Sequence, residues 1–105
     1  MNVRIERDGE TAIVSLAGEL DLATAPGVDE QLRASEDGAA TLVMDLRGLT
    51  FMDSSGLRVI LAADARARSR GGRLVLVPGP PGVQRVFQLT LLDTRLEFVD
   101  DPSAV

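Results

Sequence analysis

Five residue types are absent from this chain: cysteine, histidine, lysine, tryptophan and tyrosine. Without cysteine there is no disulfide, no thiolate nucleophile and no zinc–sulfur site. Without histidine the usual general base and the commonest metal ligand are missing. All 11 basic residues are arginine, which excludes Schiff-base chemistry and the lysine of a P-loop. No glycine loop of the phosphate-cradling kind is present either, so nucleotide binding by the chain itself finds no support. The sequence therefore predicts a protein that is not an enzyme, with no metal and no cofactor.

What is present fits one domain spanning residues 1–105, with a core over about 3–99 and a polar C-terminal tail. The 105 residues, 45% of them hydrophobic, match the ~100–150 typical of a single domain. A chain of this size buries roughly 65% of its extended surface, enough for a core without staples. Sixteen acidic against 11 basic residues give a net charge of −5. Direct nucleic-acid binding, which needs a positive footprint, is disfavoured. The one basic cluster, Arg66, Arg68, Arg70 and Arg73, reads as complementing the negative end of a helix. No apolar run approaches the ~20 residues that cross a bilayer, and the N-terminus lacks the order of a signal peptide. The expectation is a soluble, cytoplasmic protein that does not bind membranes, of undetermined oligomeric state.

Val3–Arg7 alternates apolar and polar residues, Asp8-Gly9 marks a turn, and Thr11–Ala17 reads as a second strand. Thr24-Ala25-Pro26 opens a helix carrying Val28 and Leu32 at helical spacing, and Asp37-Gly38 ends it. Thr41–Leu46 is an apolar strand of the kind covered on both faces. Arg47–Met52 reads as a loop into Asp53-Ser54-Ser55-Gly56, followed by a helix from Leu57 to Arg70 that stops at Gly71-Gly72. Arg73–Val77 is a strand, Pro78–Gly82 a rigid connector, and Val83, Val86 and Phe87 mark a third helix. Leu96–Val99 is a last short strand. The order β-β-α-β-α-β-α-β predicts an α/β fold. Its small mixed sheet joins an antiparallel N-terminal hairpin to parallel βαβ units, with helices packed against it.

The segment from Asp45 to Leu57 leads from a buried strand into the N-terminus of a buried helix. Free backbone N–H groups and the helix dipole favour a negative group there. A cap by Asp53, Ser54 or Ser55, worth ~1 kcal/mol, accounts for part of this composition. Doubled serines between Asp and Gly exceed what one cap needs. Gly56 in a first turn costs up to ~1 kcal/mol against alanine, which implies close approach of a neighbouring strand or of a partner. Asp21 before a helix start serves the helix, a contact, or both.

Asp45-Leu46 through Phe51-Met52-Asp53-Ser54-Ser55-Gly56-Leu57 resembles the signature of STAS domains, specifically the bacterial anti-sigma factor antagonists. Gly18-Glu19-Leu20-Asp21 resembles that family's second landmark, and the element order agrees from Val3 to about Val99. The resemblance implies a partner switch. The unmodified antagonist binds an anti-sigma factor that is also a serine kinase and so releases sigma factor. Phosphorylation breaks the complex and a serine phosphatase resets it. By position the phosphoacceptor is Ser54, with Ser55 the second choice; Asp21, Asp53, Ser54, Ser55, Gly56 and Arg58 fall where the family meets its partner. Two departures stand out. Relatives often have glycine where this chain has Arg58, and tend to have glycine near the end of the third helix, where Leu91 stands. Arg58, one turn beyond Ser54, either pairs with a phosphate, tunes which kinase docks, or is an exposed cation.

Three other classes compete. A serine hydrolase would need a histidine base and a Gly-x-Ser-x-Gly turn, and both are missing. A phosphoacceptor receiver would use Asp45 at a strand end, but the early acidic pair and the late lysine such domains resemble are absent. The remaining alternative is a STAS-type scaffold or accessory subunit that binds a partner without a phosphorylation cycle.

Overall fold

The alternation of residues 3–7 and 11–17 forms an antiparallel hairpin, closed at the Asp8–Thr11 pair with Gly9 at φ 61° in the turn. The computed structural model describes residues 1–105. Its elements are β1 (Asn2–Asp8), β2 (Thr11–Leu20), α1 (Ala25–Ser35), β3 (Thr41–Met52), α2 (Ser54–Ser69), β4 (Arg73–Val77), α3 (Pro81–Leu89) and β5 (Glu97–Phe98). They form one sheet in the order β1-β2-β3-β4-β5, antiparallel between β1 and β2 and parallel elsewhere. The mixed α/β fold is the one the sequence predicts.

One face of the sheet carries the main core. Val14 and Leu16 of β2, Leu42, Met44 and Leu46 of β3, and Leu74 and Leu76 of β4 are all buried, with Val28, Leu32, Ile60, Val83 and Phe87 from the three helices. Residues two apart on a strand share a face, so all three helices lie on the same side. On the other side Val43, Val75 and Val77 form a small second cluster with Ile13 and Val99. Thr41–Leu46 is thus covered on both faces, as its unbroken apolar run implies.

The largest departure is the length of β2 and β3. The sequence reads Arg47–Met52 as a loop, yet it continues β3, and β2 continues with it to a Leu20–Met52 pair. Register shifts fall between Ser15 and Ala17 and between Gly18 and Glu19, with Gly18 at φ 111°. A Cβ added at Gly48 would come within 2.7 Å of the Leu16 carbonyl oxygen. Bulges of this kind destroy the period-two pattern by which a strand is read, while hydrogen bonding survives. Helix α2 begins at Ser54, earlier than Leu57, and the last strand shrinks to Glu97–Phe98.

The arginine cluster is neutralised chiefly by specific carboxylates. Arg66 and Arg70 both bind the buried Glu36, at 2.7 and 3.0 Å. Arg68 pairs with Asp64 and Arg73 with Glu97. The polar tail forms a short 3-10 turn at Pro102–Ala104 beside the helix-free face, where Asp101 lies 3.9 Å from Arg47.

Candidate functional site

The parallel strands β2 and β3 deliver two acidic residues side by side. Leu20 pairs with Met52, and the amide of the next residue, Asp53, donates to the Leu20 carbonyl at 3.2 Å. Asp21 and Asp53 therefore begin neighbouring turns at the carboxyl end of the sheet, where α/β folds place their binding sites. Helices α1 and α2 start from these turns.

Each aspartate is the cap of its own turn. Asp53 accepts the backbone N–H of Ser55 at 2.9 Å and of Gly56 at 3.4 Å. Asp21 accepts the amides of Ala23 and Thr24 at 3.0 and 3.1 Å, while its own amide donates to the Thr24 hydroxyl at 3.0 Å. Two donors that the first turn of α2 leaves unpaired are satisfied in this way.

With Asp53 serving as the cap, the two serines are free of that duty. Ser54 is the first residue of α2, exposed, and its hydroxyl makes no hydrogen bond. Ser55 is half-buried and lines a recess of about 300 Å³ between α1 and α2, together with Leu22, Pro26, Arg58 and Val59. Arg58 is exposed and has no ion-pair partner, unlike the arginines of the cluster. Gly56 is buried: a Cβ there would meet Leu20 and Met52 at 2.6 and 2.8 Å. Of the two reasons for this glycine, the structure supplies the neighbouring strands.

Sequence reasoning missed the apolar part of the site. Leu22, 75% exposed, and Phe51, 48% exposed, flank the turns that carry Asp21 and Asp53. A leucine inside the turn Asp21–Thr24 was the available signal, since a turn needs no large side chain. Asp45 lies elsewhere. It stands within β3, not at its end, and chelates Arg47 through Nε at 3.0 Å and Nη2 at 2.8 Å. That guanidinium holds the Asp45 carboxyl below the usual carboxylate range against the opposing effect of burial. No acidic cluster that could hold a metal ion is present, and no helix is long and apolar enough to cross a membrane.

Comparison with known proteins identifies the family. Residues 3–100 match the family described as Mlab, STAS domain. The chain is similar to the anti-sigma-B factor antagonist of Listeria monocytogenes, 36% identical over 93% of this chain and 90% of that one. It is also similar to the solved structure of an anti-sigma factor antagonist from Mycobacterium paratuberculosis, at 27% identity and a TM-score of 0.88, covering 98% of this chain and 88% of the other. The anti-sigma factor antagonist SpoIIAA in its unphosphorylated form is similar at 25% identity and a TM-score of 0.83, covering 98% and 92%. With the fold, the paired caps and the exposed serine already in place, these likenesses agree: the chain belongs to the STAS-domain family of anti-sigma factor antagonists.

Proposed function

We propose that this chain is a phosphorylation-controlled antagonist that acts in the cytoplasm. Its unmodified form binds an anti-sigma factor that is also a serine kinase, and sigma factor is released. The kinase transfers phosphate from ATP to the Ser54 hydroxyl, the complex separates, and a serine phosphatase restores the starting state by hydrolysis. This chain contributes the acceptor hydroxyl and the docking surface, and the partner contributes nucleotide and catalysis.

The observation that carries this reading is the exposed, unbonded hydroxyl of Ser54 at the start of α2, beside a cap supplied by Asp53. Phosphate adds about 1.5–2 negative charges at that point. In the free domain water solvates them. Against a partner the same group is desolvated next to the Asp53 carboxylate, and unpaired buried charge is costly. A loss of ~2.7 kcal/mol weakens binding a hundredfold, so refolding of the domain is not required. Leu22 and the recess beside Ser55 and Arg58 offer the apolar surface that an interface core uses.

Incubation with candidate serine-kinase anti-sigma factors and ATP, followed by location of the phosphate, tests the proposal. Phosphate on Ser54 and loss of binding are expected, with Ser54→Ala binding but resisting modification. Undiminished labelling of Ser54→Ala moves the acceptor to Ser55. Stable binding with no phosphate on either serine replaces the switch with a scaffold role.

A further inference from the structure

Strand β1 is the one long open edge of the sheet, since the opposite edge, β5, has two residues. Just before β2 the Glu10 carbonyl accepts from the Thr41 amide of β3, so the even-numbered residues that follow along β2 turn their backbone groups toward β3. Odd-numbered ones then face β1. Through the pairs Asp8–Thr11, Glu6–Ile13 and Arg4–Ser15, the even-numbered residues of β1 use their backbone groups on β2. The N–H and C=O groups of Val3, Ile5 and Arg7 point away from the sheet. Ile5 is 42% exposed among them.

Open edges attract other strands, and proteins commonly guard them with charge. This edge carries charge of both signs in a self-complementary order. Arg4 and Glu6 project from the same face, 3.4 Å apart, with side chains 74% and 58% exposed. We propose that β1 pairs antiparallel with β1 of a second copy, about a two-fold axis through Ile5. In that register Ile5 and the partner's Ile5 exchange both backbone bonds, as do Val3 and the partner's Arg7. Arg4 stands directly opposite the partner's Glu6, and Glu6 opposite the partner's Arg4, in the closer, non-hydrogen-bonded type of pair. Asn2 meets the partner's Asp8 at each end. A shift of two residues in either direction sets Arg4 against the partner's Arg4 or Glu6 against the partner's Glu6, and like charges directly opposite are destabilising. The charge order thus selects one register and one kind of occupant, another copy of this chain. Ser54 follows β3, two strands in from this edge, so its turn stays clear of the pair.

Sedimentation of the full chain over a concentration series tests this. The wild type is expected to approach twice the monomer mass as concentration rises. Arg4→Glu alone and Glu6→Arg alone each set like charges across the axis and are expected to weaken association at least tenfold. The double variant Arg4→Glu/Glu6→Arg restores it, and so does an equimolar mixture of the two single variants. Ile5→Pro removes an outward-facing N–H that the fold does not use, and is expected to abolish pairing while the circular dichroism spectrum is retained. A wild type that stays monomeric overturns the proposal. So does a dimer that the single reversals leave unchanged, or a mixture that fails to associate.

Discussion

Gly56 lies directly against Leu20: a Cβ built on the glycine would fall 2.6 Å from the leucine Cγ. The start of α2 is thereby pressed onto the end of β2, which fixes the height of Ser54 above the sheet. Gly56→Ala gains up to ~1 kcal/mol of helix propensity but overpacks the contact by about 1–3 kcal/mol. A net loss of about 1 kcal/mol is expected, read as a lower urea midpoint at unchanged slope.

Glu36 ties the end of α1 to the last turn of α2 through Arg66 and Arg70. Removing this buried carboxylate leaves the half-buried Arg66 with Asp29 alone, 3.6 Å away, and the exposed Arg70 without an ion-pair partner. Glu36→Ala is expected to cost about 2 kcal/mol in chemical denaturation. The surface pair Arg33–Asp29 is the contrast, and Arg33→Ala is expected to change stability by under about 0.5 kcal/mol.

Acid should expose the Asp45–Arg47 pair. Hydrogen bonding from Arg47 depresses the Asp45 carboxyl, and Ser103 does the same for Asp101. A carboxylate with a lowered folded pKa contributes stability that is full above its unfolded value of about 3.9 and is lost as pH falls through the folded one. Wild type is expected to lose stability from about pH 4 downward more steeply than Asp45→Asn. Near neutral pH the variant is the less stable of the two. Urea midpoints measured across that range check both signs.

Leu91, φ 60°, is the one non-glycine residue in the left-handed region, and its side chain is 70% exposed. It is the position at which the family resemblance implies a glycine. Leu91→Gly relieves a left-handed strain of roughly 1–2 kcal/mol and sacrifices little packing. A rise in thermal midpoint is expected, offset in part by glycine's freedom in the unfolded chain.

Leu22, 75% exposed, offers the proposed interface a residue that the fold does not need. Leu22→Asp is expected to weaken binding to the anti-sigma factor at least tenfold, about 1.4 kcal/mol, by titration calorimetry. Its stability should stay within about 0.5 kcal/mol of wild type.

Much of this was legible along the chain. The hairpin at Asp8-Gly9, the helix opening at Pro26 and the stop at Gly71-Gly72 rest on local backbone preferences, and all stand in the structure. The cap at the start of α2 was legible too, although three residues were candidates and Asp53 alone serves. Strand β3 beyond Leu46 was not, because β3 carries one extra residue between Asp45 and Gly48 and another at Thr50, which breaks the alternation.

Composition and local order determined what chemistry this protein lacks, which elements it forms, and where a hydroxyl meets a helix start. Those properties depend on residue type and on neighbours within a turn. Tertiary structure alone decided that Gly56 serves Leu20, that Glu36 collects two arginines from α2, and that Ser54 is left exposed while Ser55 turns into a recess. Burial and pairing of this kind arise between residues some thirty positions apart, and no local preference encodes which of them will meet.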